Sequence, residues 1–319
     1  MFADLDALYP LWRLLTVFAL MILGLRLRLG LGLSVLIGSL VLALWFDMSV
    51  LQWAMAGLGV FRDPATVLVW CVLSFILALS SLMERTGQVE RFMLALSHHI
   101  TSPRIRLVFF PMLIGLLPMP GGAVFSAPLI QAVARKLPVP EIDKSLINYW
   151  FRHSAEMSWP LFPSVILAAS MADIPTPQLV LFTSPLSLVY FGAGWFFLVR
   201  GLEFPAVVEI PDSETSGAWS NVLRQGMPIF VALGGALALE GAIALVLPGV
   251  PVDYGVPAAM LGAIAVCLRQ NNLQATDFFR VVVQRQVLSM IFMIGALGVF
   301  KIMLEASGAV TALMHMGSA

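Results

Sequence analysis

The sequence predicts an all-α polytopic membrane protein with an inverted-repeat transporter fold. The fold includes a re-entrant hairpin, a broken helix and an incomplete second repeat. Three observations lead to this prediction. Of the 319 residues, 60% are hydrophobic and only 11% are charged, whereas soluble domains carry about 25% charged residues. Two long apolar runs are interrupted by prolines. A short sequence pattern also occurs twice, with the second copy in the opposite predicted orientation.

Seven continuous apolar runs are close to the length of a membrane-spanning helix, about 20 residues. They cover residues 11–25, 29–46, 64–83, 177–199, 227–248, 255–268 and 287–304. Residues 87–100 and 274–286 mix polar and apolar side chains, which favours amphipathic helices at the membrane surface. The polar stretch 203–222 is interpreted as a cytoplasmic linker. It separates a first repeat, residues 1–202, from a partial second repeat with three spans, residues 223–319.

The first interrupted run, residues 105–135, contains the sequence LPMPGGAVFSAP at 117–128. Its prolines cannot continue a helix, and its two glycines allow positive φ and close backbone approach. The flanking arms, about 105–117 and 122–135, have the length of re-entrant segments. Free N–H groups at the start of the second arm favour an anion. We therefore expect a re-entrant hairpin with these substrate-binding residues at its tip: Pro118, Pro120, Gly121, Gly122, Ala123 and Ser126. The alternative is a simple turn between two short helices at the membrane surface.

The second interrupted run, residues 145–173, contains NYWFRHSAEMSWPLFPS. On a continuous helix, Arg152, His153 and Glu156 can share one face. Ionisable groups at membrane depth usually face a cavity. Ser158 and the prolines after it would then break the helix. We assign Arg152 and Ser158 to the substrate site, and His153 and Glu156 to a coupling ion or proton. The alternative is an interfacial polar cluster that holds a helix end.

The basic residues set the orientation, because cytoplasmic loops are rich in lysine and arginine. Suppose that the hairpin, residues 105–135, enters and leaves the membrane on one side, and that the broken helix, residues 145–173, crosses it. Most basic residues then lie in the cytoplasm, and the N-terminus lies outside. If residues 105–135 crossed the membrane fully, a set of five arginines would move outside: Arg200, Arg224, Arg269, Arg280 and Arg285. This arginine distribution favours the re-entrant hairpin.

The repeated pattern is SLMERTGQVERFM at 81–93 and IMLEASGAVTALM at 302–314. Glu84 matches Glu305 and Gly87 matches Gly308, an offset of 221 residues. The basic-residue topology places Glu84 inside and Glu305 outside, as an inverted repeat requires; the alternative is chance similarity between two helix ends. Adding 221 to 118–122 gives 339–343, past residue 319. We therefore expect a fragment, a natural truncation, or a site completed by another copy.

Several function classes fit the sequence poorly. The formal net charge is zero, which gives no indication of a nucleic-acid partner. A zinc protease would need His-Glu-x-x-His, but the sequence offers only His153-Ser-Ala-Glu156. Ser126 lies in no recognised nucleophile motif. We therefore expect no enzyme, no metal site and no cofactor, apart from Na⁺ or H⁺ as a coupling ion.

The segments LPMPGGAVFSAPLI (117–130) and NYWFRHSAEMSWPLFPSVILA (148–168) resemble the signature regions of a prokaryotic integral-membrane family, domain of unknown function 401. That family is grouped with the ion transporter superfamily, which includes gluconate-type permeases and dicarboxylate carriers. The resemblance implies an inverted-repeat secondary transporter of the prokaryotic cytoplasmic (inner) membrane, with a homodimeric assembly. It also implies a small organic anion as substrate and sodium or a proton as coupling ion. The Ser-Asn-Thr motif of sodium-coupled dicarboxylate carriers is absent, so their sodium sites are not carried over.

The sequence thus predicts a secondary active transporter, or permease, for a small organic anion. One alternative of a different class stays open. The chain could be a non-transporting or partial membrane protein, either a scaffold or a half-permease that needs a partner to complete the site.

Overall fold

The computed structural model describes residues 3–100, 102–116, 139–172, 174–202, 219–247, 249–250 and 254–309. The described helices are α1 (Ala3–Arg26), α2 (Leu31–Trp45), α3 (Val50–Val60), α4 (Pro64–Arg85), α5 (Gln88–Ser97), α6 (Pro103–Gly115), α7 (Glu141–Arg152), α8 (Pro163–Ala172), α9 (Thr176–Gly194), α10 (Trp219–Val246), α11 (Gly255–Gln270), α12 (Ala275–Val282) and α13 (Arg285–Ala306). A π-helical turn, Trp195–Val199, extends α9.

All seven predicted apolar runs lie almost entirely within described helices. Four helical segments of the described chain are long and apolar enough to cross a membrane: Pro64–Arg85, Thr176–Val199, Trp219–Val246 and Arg285–Ala306. Large side chains such as Leu188 and Phe197 on the α9 segment are 72% and 78% exposed, respectively. An apolar surface of this kind is stable in contact with lipid. These features indicate a helical, multi-pass membrane protein.

Some predicted features lie outside the described residues. They include the hairpin tip, namely Pro118, Pro120, Gly121, Gly122, Ala123 and Ser126, together with the whole second hairpin arm, residues 122–135. Most of the linker, residues 203–218, and the end of the second repeat, residues 310–319, are also outside. In contrast, helix α3 was missed by the sequence analysis, because its 11 residues are too few for a span.

The chain divides into two compact units, with the division inside α4. The first unit comprises Met1–Trp70 and Val283–Ala319, and in it α2 packs against α1, α3 and α13. Buried residues of α2 include Gly32, Ser34, Gly38 and Ser39, and small residues of this kind let membrane helices approach closely. The Trp53 indole N–H donates to Ser39 Oγ at 2.9 Å, which ties α3 to α2.

The second unit comprises Cys71–Val282. Helix α10 pairs with α11 and also contacts α5. Helices α6 and α7 pack together, and α9 contacts both α7 and α8. The pairing of α6, α7 and α9 positions the candidate site described below.

A buried amide network holds α5 against α10 and α11. Gln88 is only 1% exposed. Its Nε2 group donates to the Gln225 carbonyl at 3.0 Å and to Gln270 Oε1 at 2.8 Å. Its Oε1 atom accepts from Asn271 Nδ2 at 2.7 Å and from the Cys267 thiol at 3.5 Å. Every polar position of this buried side chain is therefore satisfied, which is the condition for a polar network to stabilise an apolar interior.

Helices α4 and α13 have matching bounds. Adding 221 to the α4 bounds, Pro64 and Arg85, gives 285 and 306, which are the bounds of α13. Each helix is followed two residues later by a glycine with φ of 65°, Gly87 and Gly308, respectively. This region of φ favours glycine over residues with a Cβ atom.

The ends of α2 and α11 also match. Asp47 and Asn272 each lie two residues past the helix end, at 45 and 270, and have positive φ of 61° and 52°, respectively. Aspartate and asparagine tolerate this left-handed conformation better than most residues. Helices α2 and α11 therefore terminate alike.

We expect Gln88→Leu to destabilise the protein by about 1–3 kcal/mol, because it removes the hydrogen bonds that join Gln88 to Gln225, Gln270 and Asn271 and leaves Gln270 Oε1 without the Gln88 donor. Thermal unfolding can be followed in detergent with a dye that reacts with the buried Cys267, in a Cys71→Ala background. The matched control is Gln178→Leu, at an exposed position of α9. Equal unfolding midpoints for the two variants would contradict a stabilising role of the network.

Asp63 caps the start of α4 and gives a pH-dependent contribution to stability. Its Oδ2 atom accepts from the Thr66 hydroxyl at 2.6 Å and from the Thr66 backbone N–H at 2.9 Å. The pKa of Asp63 is lowered from its ordinary value, chiefly by the Thr66 hydroxyl. The folded-state pKa of Asp63 is depressed. The ionised cap therefore adds to the free energy of unfolding at pH values above the ordinary carboxyl pKa, and this stabilisation is lost as pH falls through the folded-state pKa.

We expect Asp63→Ala to cost about 1 kcal/mol at pH 7, the usual loss for an N-cap. The difference from wild type should shrink below about pH 4, where the carboxyl group of the wild type becomes protonated. Asp63→Asn keeps a cap that does not titrate and is the control. Unfolding midpoints measured from pH 7 to pH 3 check this, and a constant penalty for Asp63→Ala would count against it.

Candidate functional site

Helix α7 is amphipathic, and this determines which side chains turn into the protein. Its outer face carries Ile142, Leu146 and Tyr149, which are all exposed, whereas Ile147 and Phe151 are fully buried. The two buried residues pack in a cluster with Leu107 and Val108 of α6, Val139, and Val199 of the π-helical turn. Apolar burial therefore fixes the rotation of α7 about its axis.

The ends of α6 and α7 meet at Gly115. A Cβ atom at this position would overlap the carbonyl oxygen and the carbonyl carbon of Arg152. Gly115 is the last residue of α6 and Arg152 is the last residue of α7. The lack of a side chain at Gly115 thus allows two helix ends to come into backbone contact.

Helix α7 ends earlier than the sequence analysis expected. Residues 153–158 form hydrogen-bonded turns rather than α-helix. The Ser154 hydroxyl donates to the Phe151 carbonyl at 2.7 Å, and the Glu156 N–H donates to the His153 carbonyl at 3.2 Å. The expectation that Arg152, His153 and Glu156 share a helix face is therefore wrong in its geometry, because helical spacing stops applying at Arg152.

His153 lies beside the outer face of α7. Its ring is tilted against Tyr149, with a centroid distance of 4.6 Å. Its Nδ1 atom is 2.6 Å from the Tyr149 carbonyl oxygen, so the ring is within hydrogen-bonding distance of a carbonyl group in the last turn of α7. Tyr149 is 65% exposed. His153 is thus positioned as a cap of α7.

Glu156 and Ser158 lie in the turns between α7 and α8. Glu156 is half-buried and lies within range of an electrostatic interaction with the Arg152 guanidinium and with the Tyr190 hydroxyl. The Ser158 hydroxyl donates to Ser187 Oγ of α9 at 2.7 Å. The turns are therefore attached to α9 on one side and lie within electrostatic range of Arg152 on the other.

Trp150 fixes the last turn of α7 against α9. Its indole stacks on Tyr190 with a centroid distance of 4.4 Å, and its Nε1–H donates to the Tyr190 carbonyl at 2.9 Å. The indole also lies against Gly194, where a Cβ atom would overlap it. The contact of Gly115 in α6 with the Arg152 carbonyl and the contacts of Trp150 with α9 together fix the position of Arg152.

The inner side of α7 carries a stripe of polar residues, Lys144, Asn148 and Arg152, each one turn from the next. We call this the α7 polar stripe. The Lys144 side chain is 11% exposed and pairs with Glu141 at 2.7 Å. Asn148 is 9% exposed. Sequence analysis missed Lys144 and Asn148 as site residues, although their spacing of four from Arg152 is the signal that would have shown the stripe.

The structure brings Arg152, Glu156 and Ser158 to one junction of α6, α7 and α9, and it turns His153 toward Tyr149 instead. The proposed hairpin residues begin three positions after Gly115 but lie outside the described chain. Within the described chain, no group of three or more His, Cys, Asp or Glu side chains is placed to hold a metal ion. Chemically, the junction offers a guanidinium group, a carboxylate, hydroxyl groups and helix-end carbonyls.

Residues 7–316 match the model of a family described as "Protein of unknown function (DUF401)", and the chain belongs to this family. A search of curated proteins found no match to the chain.

We expect Gly115→Ala to destabilise the protein by about 1–3 kcal/mol, because the added methyl group overlaps a backbone carbonyl that cannot move freely. Gly192→Ala is the matched control, since no atom of the described chain lies within 4 Å of a Cβ there. That control should be neutral or slightly stabilising, as alanine favours helix over glycine. Detergent unfolding midpoints measure both, and a neutral Gly115→Ala would contradict the close contact.

Proposed function

We propose that this member of the DUF401 family is a secondary active transporter, or permease, for a small organic anion. The observation that carries the proposal is the position of Arg152, at the junction of two helix ends in a chain of apolar helices. Arginine offers a planar fork of donors that matches a carboxylate. An ionisable residue among membrane helices usually faces a cavity and serves a function.

The α7 polar stripe supports an anionic substrate rather than a cationic one. Lys144 and Arg152 both contribute positive charge along the inner side of α7. Glu141 pairs with Lys144 at 2.7 Å and offsets its charge. Arg152 then supplies the positive charge at the end of the stripe that would attract an anion.

The proposed binding site combines Arg152 and Ser158 with the hairpin residues Pro118, Pro120, Gly121, Gly122, Ala123 and Ser126. Glu156 is the first candidate for a coupling proton or Na⁺, since its carboxylate lies within electrostatic range of Arg152. His153 is the second candidate, and its contact with the Tyr149 carbonyl makes it the weaker one.

The inverted repeat also belongs to this proposal. It is supported by the matching bounds of α4 and α13 and by the left-handed glycines that follow them. Inverted repeats place broken helices around a site near the membrane midplane, as in the ion transporter superfamily that the sequence resembles. We further propose the prokaryotic cytoplasmic membrane as the location, an outside N-terminus and a homodimer.

The test is uptake of radiolabelled carboxylates by the purified protein in liposomes, with a proton or sodium gradient imposed in turn. We expect gradient-driven uptake of at least one carboxylate. Arg152→Gln should lower that uptake about 10- to 100-fold, the effect of losing a charged hydrogen bond, and Arg152→Lys should recover part of it. The control is Arg280→Gln, where the side chain is 76% exposed.

Two outcomes would overturn the proposal. The first is no uptake of any carboxylate under either gradient, which would favour the non-transporting or half-permease alternative. The second is uptake that Arg152→Gln leaves unchanged.

A further inference from the structure

Arg91 of α5 is held in one position by neutral oxygens. Its Nη1 group donates to the Thr86 carbonyl at 2.7 Å, its Nε–H to Gln225 Oε1 at 3.2 Å and its Nη2 group to Asn271 Oδ1 at 2.8 Å. These three acceptors are uncharged, so they orient the guanidinium group without neutralising it. The bonds use three of the five N–H donors of an arginine. The side chain is exposed, so an anion can reach it.

Each of the three acceptors lies one or two residues after another exposed arginine. These arginines are Arg85, Arg224 and Arg269. The Arg224 carbonyl accepts from Gln270 Nε2 at 2.9 Å, which ties the start of α10 to the end of α11. The hydrogen bonds of Arg91 thus gather four arginines at one end of the second unit. We call these four residues the arginine surface.

The carboxylates near the arginine surface do not balance its charge. Glu84 is half-buried at the end of α4, and Glu90 is exposed next to Arg91. On the nearby helix α12, Asp277 pairs with Arg280. Two carboxylates against four arginines leave a net positive charge, which attracts anions.

The length of α10 places the arginine surface at the edge of the hydrocarbon. Helix α10 has 28 residues and is therefore about 42 Å long, whereas the hydrocarbon core is about 30 Å thick. Its first residues, 219–225, include Asn221, Arg224 and Gln225, whereas its last residues, 241–246, are all apolar or glycine. The polar first turns are therefore the part that extends into the headgroup region.

An apolar line runs along α10 from the same end. Trp219, Leu223 and Met227 are spaced four residues apart and are all exposed, and side chains with this spacing lie on one face of a helix. Tryptophan is typical of the level of the lipid headgroups. The arginine surface and this line together offer positive charge next to an apolar stripe that enters the membrane.

We infer that the arginine surface binds the headgroup of an anionic phospholipid, with its phosphate on Arg91 and its acyl chains along the apolar line of α10. The guanidinium fork matches the geometry of a phosphate group, and basic pockets between membrane helices bind acidic headgroups. The inference goes beyond the proposed function and does not depend on it, because a transporter and a non-transporting membrane protein can both bind such a lipid.

The test is native mass spectrometry of the purified full-length protein. The protein is released from micelles that contain equal amounts of phosphatidylglycerol and phosphatidylcholine with the same acyl chains. We expect wild type to retain phosphatidylglycerol at least about fivefold better, the effect of about one arginine at a membrane surface.

Two variants test the arginines separately. Arg91→Gln removes the central guanidinium group, and the double variant Arg224→Gln, Arg269→Gln leaves the hydrogen bonds of Arg91 in place. Each should lower the preference for phosphatidylglycerol to nearly one. The matched control is Arg280→Gln, which removes the same charge outside the arginine surface from a side chain that is 76% exposed. It should keep the wild-type preference.

Two results of this comparison would overturn the inference. One is equal retention of the two lipids by wild type, and the other is a preference that both arginine variants keep. The wild-type comparison decides the partner even where a variant does not fold. No carboxylate uptake is measured, so failure here leaves the proposed function standing.

Further arms separate the lipid from two other occupants. If inorganic phosphate removes the bound lipid and sodium chloride of equal ionic strength does not, the surface takes free phosphate and the inference is overturned. The linker, residues 203–218, contains four acidic residues: Glu203, Glu209, Asp212 and Glu214. If only a variant with these four changed to glutamine or asparagine prefers phosphatidylglycerol, the linker occupies the surface in wild type, which also overturns the inference.

Discussion

Backbone N–H and C=O groups in a bilayer must be bonded within the protein, because hydrocarbon offers no partner. A helix satisfies these groups along its length and leaves them unsatisfied at its ends. In this protein two helix ends, those of α6 and α7, meet where Gly115 contacts the Arg152 carbonyl. The last carbonyl groups of α7 need hydrogen-bond partners. The Ser154 hydroxyl provides one for the Phe151 carbonyl, and the His153 ring provides one for the Tyr149 carbonyl.

The same helix ends stabilise the positive charge of Arg152. A helix C-terminus carries about half a negative charge, which stabilises a nearby cation. This partial charge is fixed in the backbone, so it reduces the cost of holding a guanidinium group in apolar surroundings.

Two buried amide side chains show how polar groups serve different purposes in one protein. Gln88 has donors and acceptors that are all engaged by α10, α11 and the residue after α11. Asn148 has an oxygen with no donor from the described residues. The first arrangement stabilises a single packing of helices, because any separation would break the four hydrogen bonds of Gln88. The second arrangement leaves one buried acceptor without a donor among the described residues.

The sequence by itself determined where the helices lie. Apolar runs and their lengths located the spans, because burial in lipid demands about 20 apolar residues in succession. The pattern around Gly87 and Gly308 identified two helix ends that the structure terminates alike. Only the tertiary structure decided that α7 stops at Arg152 and that His153 turns to Tyr149. These depend on the close approach at Gly115 and on the packing of Trp150 against α9. Both are contacts between segments far apart in the chain, and helical periodicity carries no information about them.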